Sequence, residues 1–571
     1  MPVIGFRIPD FESLYGAPVD RDRLLEELPM LGGDLDRVSG DEVHIEYFPD
    51  RPDLVSVEGI ARAMRSFLGD ERGLHHYELA APEGTLEVDA GVGPVRPFIL
   101  ACHVRGLEPM DDADIKRLMD LQEKLAFGIG RRRSRVAIGI HDARDTAPPY
   151  RYHTVDGDHR FVPLAETKET TVRKLLAENP KGKAYAHLLP KDGPFPVITD
   201  KDGHLLSFPP VINGAHTALR AGTTDLLIDL TGPDLPTLRT TMAILAAAFL
   251  DRGATLTPVS CVYPDDAAFG ASAGKTLVEP DMEPYRGTLS VKETERVLGL
   301  GLDRMDIIHA LERLGHSATP CGKDPDEVHV LSPAWRADLL HEWDYIEDVA
   351  KGHGYRDVEG TLPKEPAFGS THPAEKRARL VRTSLIGLGY LETTSLTITS
   401  EKALFDRFDL PRPEGDEAPV RVVNPVTEDQ TVMRTWMLPS LFGILEANRH
   451  RDYPQSLFEV GQVVDPSGHN GWHVAAVRAD ARAGFTQVKG VAEALLRDLG
   501  VKATVAEDDH PAFVPGRVAR WQVDGTTVGR CGEVHPRILE RSELRVPVVA
   551  LEFDLDRLLP VQTVEPVQQQ A

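Results

Sequence analysis

The clearest hydrophobic periodicity near the start of the chain lies between Ser56 and Gly69. Apolar residues recur there at the three- and four-residue spacing of an α-helix, at Val57, Ile60, Ala61, Met64, Phe67 and Leu68. Ser56 has the side chain of a helix N-cap, and Gly69 suits the left-handed residue that follows a last helical turn. The pattern therefore predicts one helix between these two residues.

The same alternation of apolar and polar residues divides the chain into α+β regions. Residues 1–85 combine short β-like segments with this helix, and residues 90–265 mix β runs such as PFILACHVRGL with helices such as DADIKRLMDLQEKLAFGIG. Residues 276–362 contain two amphipathic helices, a strand and an acidic helix. Residues 365–560 place many alternating strands after a long helix.

Two segments lack a periodic pattern. Pro258–Lys275 is rich in glycine and small residues and is predicted to be a linker, and residues 561–571 are predicted to be a disordered tail. At 571 residues the chain is too long for a single core. Together these features predict a multidomain α+β protein.

Composition narrows the classes of protein to consider. The 64 basic and 89 acidic residues leave a net charge of −25, which excludes a protein that coats nucleic acid with its whole surface. No run approaches the roughly 18 apolar residues of a membrane span, and the start MPVIGFRIPDF lacks a signal-peptide pattern. We therefore expect a cytoplasmic protein that does not associate with a membrane. The four cysteines form no CxxC pair, so neither a disulfide framework nor a zinc knuckle is expected.

The stretch WRADLLHEWDYIED, residues 335–348, is crowded with carboxylates. A buried helical face is predicted from the spacing of Leu339, Trp343, Ile346 and Ala350. Asp344, Glu347 and Asp348 fall on one flank of that face, and Asp338 is predicted to cap the helix entrance. Spacing alone leaves two interpretations open: a solvated acidic face with a cap, or a site for a hard cation such as Mg²⁺.

The one dense basic cluster is Arg131-Arg132-Arg133-Ser134-Arg135, directly before the apolar run Val136–Ile140. It is predicted to mark a helix end or a loop that enters a buried strand. The arginines either stabilise the C-terminal end of a helix, where a cation interacts favourably with the helix dipole, or contact nucleic-acid phosphates.

Common catalytic motifs are absent from the sequence. GASAGKT, residues 270–276, has three residues between its glycines where a phosphate-binding loop needs four, and His341-Glu342 lacks the second histidine of a zinc protease because position 345 is tyrosine. The chain therefore shows no stand-alone catalytic motif.

Seven blocks in order nevertheless resemble the β subunits of phenylalanine–tRNA ligases of the archaeal and eukaryotic type, across nearly the whole chain. They are FPDRPDLVSVEGIARAMR (48–65), AIGIHD (137–142), FPPVINGAHT (208–217), LLIDLTGPD (226–234), PAWRADLLHEWDYIEDVAKGHGY (333–355), VVNPVTEDQTVMRTWMLPSLFGIL (422–445) and LFEVGQVV (457–464). The resemblance implies an (αβ)₂ class II synthetase. Its α subunit activates phenylalanine with ATP and Mg²⁺ and loads it onto tRNA(Phe).

The resemblance also implies a domain for each region. Residues 90–265 would be an editing domain of B3/B4 type, residues 276–362 a small winged-helix-like B5 domain, and residues 365–560 a class II-like antiparallel-sheet domain without chemistry. Arg434 precedes a leucine-rich helix, and RCGEVHPRI stands where a Gly-rich strand with a second arginine is expected. The ATP-clamping pair of a working site is therefore expected to be missing.

The family pattern supplies candidate site residues as well. Asp338, Asp344, Glu347 and Asp348 match its spacing for an Mg²⁺ shared with the α subunit, which favours the cation interpretation. The pocket that hydrolyses Tyr-tRNA(Phe) falls at Ile198, Ser207, Asp229 and Thr231, with Asn213 and His216 in the block between. Asp229 would hold the phenol, the ester or a water, or would be an inward carboxyl group bonded at a strand bend.

Two rival functions remain compatible with the residues. One is a metal-dependent hydrolase that uses the acidic stretch. The other is a non-catalytic RNA-binding or assembly scaffold, which deacylation of Tyr-tRNA(Phe) by the assembled complex would exclude.

Overall fold

A computed structural model describes residues 2–362 and 369–561, and the chain divides into two compact units, residues 1–362 and 363–571. The first unit contains the three regions that the sequence separated before residue 362. The predicted tail lies, from residue 562 onward, outside the described residues. No helix in the described part of the chain is long and apolar enough to cross a bilayer.

The first region is a three-stranded sheet with three helices. Its elements are β1 (Val3–Arg7), α1 (Ile8–Tyr15), α2 (Arg21–Glu27), β2 (Gly33–Ser39), β3 (Glu42–Tyr47) and α3 (Val57–Leu68). The predicted helix is confirmed with both of its ends. The hydroxyl group of Ser56 accepts the N–H of Gly59 at 3.3 Å, and Gly69 has a φ of 89°.

The second region is built on a ten-stranded sheet with four helices. Its elements are β4 (Thr85–Val88), β5 (Phe98–Arg105), α4 (Asp112–Phe127), β6 (Ala137–Asp142), β7 (Tyr150–Val155), β8 (Arg160–Phe161), β9 (Thr170–Thr171), α5 (Val172–Glu178), α6 (Pro180–Tyr185), β10 (Phe195–Thr199), β11 (Leu205–Phe208), β12 (Ile212–Asn213), β13 (Leu226–Gly232), α7 (Leu235–Asp251), β14 (Thr255–Val262) and β15 (Thr276–Glu279). The strand order is β12-β11-β10-β7-β4-β14-β5-β13-β6, and β15 pairs with β14. Strand β13 lies between β5 and β6, and every one of its residues is buried. Both faces of the sheet are therefore covered at this strand, which agrees with its nearly continuous apolar sequence.

The prediction of a linker at Pro258–Lys275 is wrong for residues 258–262. Residues 258–262 belong to β14, which pairs with β5 on one side and with β4 on the other. Proline and small residues gave this segment the composition of a loop, but burial between two strands overrides the weak local preference.

The third region packs three helices on a three-stranded sheet. Its elements are β16 (Tyr285–Ser290), α8 (Val291–Leu298), α9 (Arg304–Arg313), β17 (Ser317–Pro320), β18 (Glu327–Ser332) and α10 (Glu342–His353). Helices α9 and α10 approach closely at Gly352. A Cβ atom there would lie 2.1 Å from the carbonyl oxygen of Ala310, so only glycine fits this contact.

The second unit is an antiparallel sheet covered by helices. Its elements are α11 (Pro373–Gly387), β19 (Leu391–Glu392), β20 (Ile398–Thr399), β21 (Val432–Met433), α12 (Leu438–Ala447), β22 (Gln455–Val464), β23 (Asn470–Ala479), α13 (Phe485–Asp498), β24 (Thr504–Glu507), β25 (Phe513–Val523), β26 (Thr526–Val534), α14 (Pro536–Arg541), β27 (Val548–Asp554) and α15 (Leu555–Leu558). Seven strands follow the order β19-β22-β23-β27-β26-β25-β24, and only the β19–β22 pair is parallel.

We expect Gly352→Ala to destabilise the protein by about 1–3 kcal/mol, because the new methyl group must push α9 and α10 apart. Gly490→Ala is the matched control, since Gly490 lies within α13 with no atom within 4 Å of the added Cβ. The control should be stabilised by roughly 0.5–1 kcal/mol. Urea unfolding followed by circular dichroism measures both effects, and equal effects of the same sign would contradict the packing argument.

Candidate functional site

A cavity of about 540 Å³ opens beside β6, β11 and β13 in the second region. This volume lies in the range of small-molecule sites. Three of the predicted pocket residues border it, namely Ser207, Asn213 and Asp229, and so do Gly139 and Thr217. The fold therefore brings polar side chains as far apart in the sequence as Gln122 and Asp229 to one concave site.

Asp229 is the most deeply buried acid of this cavity, with 2% exposure. Its Oδ2 lies 2.8 Å from Nε2 of His141, and Nδ1 of His141 lies 2.7 Å from the hydroxyl group of Thr217. Because a carboxylate only accepts hydrogen bonds, Nε2 is the protonated nitrogen, and in the neutral ring Nδ1 accepts the hydroxyl hydrogen of Thr217. A chain of hydrogen bonds thus fixes the orientation of the carboxyl group.

Gly139 makes room for this pair. It lies directly opposite Asp229 in the β6–β13 register, and a Cβ atom at this position would be 1.9 Å from Oδ2 of Asp229. Any side chain would therefore displace the carboxyl group. Gly139, His141 and Thr217 are not among the residues predicted from the sequence; the signal was present in AIGIHD, where a histidine directly follows the apolar run AIGI.

Three predicted pocket residues, Thr231, Ile198 and His216, do not border the cavity. Thr231 is covered by the side chain of Arg96, whose Nε donates to the threonine hydroxyl group at 2.9 Å. Burial lowers the pKa of Arg96 to about 10. Ile198 lies opposite Ser207 but on β10, one strand further from the cavity, and is packed into the core with 1% exposure.

The polar wall on the other side consists of Ser207 and Asn213. The hydroxyl group of Ser207 donates to Oδ1 of Asn213 at 3.4 Å, and Nδ2 of Asn213 donates to the carbonyl oxygen of Ile140 at 3.1 Å. His216 is exposed and its Nε2 donates to the carbonyl oxygen of Asp145 at 3.0 Å, outside the cavity lining. Asn213 is thus held in the wall by its contact with β6.

The basic cluster follows α4 and precedes β6, as expected for a loop that enters a buried strand. Arg131, Arg132 and Arg133 have φ values of 46°, 53° and 66°, so all three adopt the left-handed conformation that ordinary residues avoid. The side chains then differ. Arg131 and Arg132 are exposed, whereas Arg133 borders the cavity and donates to the carbonyl oxygens of Pro210 and Val211 at 3.2 and 3.0 Å.

The acidic stretch differs from the expected helix at its start. Helix α10 begins at Glu342 and is capped by His341, so the prediction that Asp338 caps the entrance is wrong. Asp344 provides the reciprocal contact instead, because its Oδ2 accepts the N–H of His341 at 2.6 Å. Trp343, predicted to be buried, is 53% exposed, and its indole N–H donates to Glu293 at 3.2 Å.

The four predicted magnesium ligands each have a partner within the chain. The guanidinium group of Arg336 binds both oxygens of Asp338, at 2.9 and 2.7 Å, and Oδ2 of Asp348 at 2.6 Å. Asp348 is 1% exposed, and Arg336 together with a hydrogen bond from His316 outweighs burial and holds the pKa of this carboxyl group far below its usual range. Glu347 is paired with Lys351 at 2.8 Å.

These contacts affect whether the four carboxylates can bind a magnesium ion together. Within residues 2–362 and 369–561, the groups of three or more ligand atoms that lie within 4.8 Å of one another do not include the four carboxylates. Arg336 supplies the positive charge between Asp338 and Asp348. In this arrangement the four carboxylates do not fit one magnesium ion held by this chain alone.

Arg434 in the second unit is fully engaged by the protein. Its guanidinium group donates to Glu459 at 2.8 Å, to Ser395 at 2.7 Å and to the carbonyl oxygen of Gln462 at 2.8 Å. With 1% exposure it presents no free donor for a phosphate. The geometry thus favours a structural role, as expected from the leucine-rich helix that follows.

Comparisons of this chain with family models and with known proteins agree on one protein family. The chain matches the family models described as "tRNA synthetase B5 domain" over residues 288–355 and "Phenylalanyl tRNA synthetase beta chain CLM domain" over residues 358–555. It is 40% identical to the phenylalanine–tRNA ligase β subunit of Methanosarcina barkeri, over 98% of this chain and 99% of that protein. The corresponding subunit of Archaeoglobus fulgidus is 41% identical, over 97% and 98%.

A solved structure agrees with these relatives. It is an N-terminal fragment of the phenylalanyl-tRNA synthetase β subunit from Pyrococcus horikoshii, which is 30% identical and has a TM-score of 0.57. The match covers 62% of this chain and 100% of the fragment.

We expect Arg336→Met to destabilise the protein by about 3–5 kcal/mol, because it leaves the carboxyl group of Asp348 buried without its cation. Arg356→Met is the matched control. Arg356 pairs with Glu27 at 3.1 Å on the surface, where such a pair contributes at most about 1 kcal/mol. Urea unfolding compares the two variants, and similar losses for both would show that the buried pairing is unimportant.

Proposed function

This chain belongs to the family of phenylalanine–tRNA ligase β subunits, and we propose that it works with an α subunit in an (αβ)₂ complex that attaches phenylalanine to tRNA(Phe). The α subunit would carry out the ATP- and Mg²⁺-dependent activation. This division is supported by Arg434, each of whose three guanidinium nitrogens donates within the protein, to Gln462, Ser395 and Glu459. The class II-like unit would therefore serve assembly, and the complex would act in the cytoplasm.

The cavity at Asp229 would hydrolyse Tyr-tRNA(Phe) that the α subunit releases by mistake. Tyrosine differs from phenylalanine by one hydroxyl group, and an apolar pocket rejects such an isostere only weakly, so a second, hydrolytic site is needed. The observation that carries this proposal is the buried Asp229 carboxyl group, which lines a cavity of about 540 Å³ and is oriented by His141.

Asp229 would select tyrosine by accepting the phenol hydroxyl group. A phenylalanyl group that entered the cavity would leave this carboxyl group without a partner on the cavity side, which disfavours its binding. Ser207 and Asn213 offer a hydroxyl and an amide group on the facing wall, where they would hold the ester or a water. His141 does not border the cavity and would act by positioning Asp229.

The exposed arginines beside this cavity would contact tRNA. Arg131 and Arg132 are exposed next to Arg133, which borders the cavity, so phosphates near the aminoacylated end would meet positive charge. Arg133 itself is held by carbonyl groups and would shape the cavity rim.

The shared magnesium remains a prediction of the family pattern. Asp344 and Glu347 are the two predicted ligands at the exposed side of α10, whereas Asp348 is enclosed by Arg336 and His316. An ion at this position would need ligands from the α subunit and a rearrangement of these pairs.

We expect Asp229→Asn to leave phenylalanine attachment nearly unchanged while Tyr-tRNA(Phe) accumulates, because the cavity would act only after transfer to tRNA. The α–β complex is assayed for deacylation of preformed Tyr-tRNA(Phe) and for charging with phenylalanine. A reduction of about 100-fold or more in deacylation is expected when a hydrogen bond to the discriminating hydroxyl group is removed from a buried site.

Asp225→Asn is the matched control, since Asp225 lies just before the same strand and contacts the hydroxyl group of Thr224 at 2.7 Å. It should deacylate at the wild-type rate. Deacylation at the wild-type rate by Asp229→Asn would place the hydrolytic site elsewhere, and slow deacylation by both variants would indicate damage to β13.

We expect Arg131→Gln with Arg132→Gln to weaken tRNA binding and to lower the slope of log affinity against log salt, by about 0.7–0.9 for each phosphate that these side chains neutralise. Arg173→Gln, which removes an exposed arginine of α5, is the control. Binding of tRNA(Phe) by the α–β complex is measured across a salt series. An unchanged slope in the double variant would return these arginines to a helix-end role.

A further inference from the structure

The hairpin of β17 and β18 carries three potential metal ligands on one face. Thr319 lies opposite His329, and the N–H of Cys321 donates to the carbonyl oxygen of Glu327 at 3.0 Å, so the register continues past the end of β17. Residues two apart on a strand share a face. Glu327 and His329 therefore lie on the same face of β18, and Cys321 stands opposite Glu327.

Burial along β18 shows which face this is. Val328 and Val330 are packed into the core with 0% and 1% exposure, whereas His329 is exposed and Glu327 is half-buried. The three ligand residues thus stand on the outer face. One ligand atom from each of them lies within 4.8 Å of the other two.

We propose that Cys321, Glu327 and His329 form a binding site for a divalent cation of the zinc class on the outer face of the β17–β18 hairpin. A thiolate, an imidazole and a carboxylate are the ligands that Zn²⁺ takes in proteins, and three protein ligands leave a fourth position for water. Hard cations such as Mg²⁺ and Ca²⁺ prefer oxygen ligands only.

The donor atoms are close to the required separation. Metal–ligand bonds of about 2.0–2.3 Å at tetrahedral angles place neighbouring ligand atoms about 3.5 Å apart. The present separations are at most 4.8 Å, and the three side chains are partly exposed, so side-chain rotation is the movement available to shorten them. When the metal binds, the thiol of Cys321 releases its proton to solvent, and the sulfur, the imidazole nitrogen and a carboxylate oxygen each form one bond to the metal.

The cysteine content makes this site separately measurable. Cys102, Cys261 and Cys531 are buried with at most 1% exposure, and Cys321 is the one cysteine of the chain that is partly exposed. A thiol reagent such as dithiobis-nitrobenzoate should therefore modify one cysteine in the folded full-length chain. A second possible cluster, Asp200, His204 and His216, contains no sulfur and gives no sulfur-to-metal absorption.

The test uses the full-length chain, freed of metal with EDTA and kept reduced. Stoichiometric Co²⁺ should produce a thiolate-to-cobalt charge-transfer band that Zn²⁺ removes, with one metal bound per chain. Zn²⁺ should also slow modification of Cys321 by the thiol reagent at least tenfold, and EDTA should restore the rate. Absence of both the band and the protection in the wild-type chain would overturn the proposal.

Variants separate a built site from a thiol that binds metal alone. Cys321→Ser should abolish the band, while His329→Ala and Glu327→Gln keep the thiol and should weaken Zn²⁺ protection at least tenfold. His309→Ala removes an exposed histidine of α9 in the same region and should have no effect. Unchanged protection in both His329→Ala and Glu327→Gln would show that the hairpin does not assemble a site.

Discussion

The carboxyl group of Asp229 constrains the part of the fold that surrounds the cavity. Placing a carboxyl group inside a fully buried strand is costly unless it is paired, and β13 has core on both sides. The adjacent strand β6 provides the partner, His141, and also the glycine that lets the pair approach. Because Thr217 fixes the other side of the imidazole ring, three segments must fold together before the cavity wall exists.

Buried arginines follow the same rule as the buried carboxyl group of Asp229: each needs partners inside the protein. Arg336 joins two carboxyl groups beside α10, and Arg434 joins Glu459 to the backbone of β22. Each cation is nearly inaccessible to water, so its hydrogen bonds are made inside the chain. Within the chain, Arg336 and Arg434 therefore form closed ion pairs with their carboxylate partners.

Local patterns in the sequence predicted local structure well. The helix between Ser56 and Gly69 has the predicted ends, because a strong apolar stripe and two capping residues agree with each other. Around Asp338 the same reasoning failed, because Arg336 binds the carboxyl group of Asp338 and the helix is capped by His341 instead. Pro258 belongs to a buried strand for a related reason, since pairing partners far away in the sequence decide its conformation.

The residues of the candidate site were predicted only in part, because contacts between distant segments are not visible in the sequence. Family spacing located Ser207 and Asp229, which border the cavity, but it could not show that Arg96 covers Thr231. Nor could it find His141, because a single histidine in an apolar strand is more often a satisfied core residue. Cys321 and His329 are eight positions apart and match no metal motif, so only the hairpin register brings them together.

The left-handed turn at Arg131–Arg133 couples the charge of this surface to the strain of its backbone. Each of these residues occupies a conformation that costs about 1–2 kcal/mol for an ordinary side chain, and that glycine adopts at no cost. Replacement by glycine would thus relieve strain but remove a cation, whereas lysine would keep the charge and the strain. In this turn, backbone stability and positive charge therefore oppose each other, and no single replacement by glycine or lysine improves both.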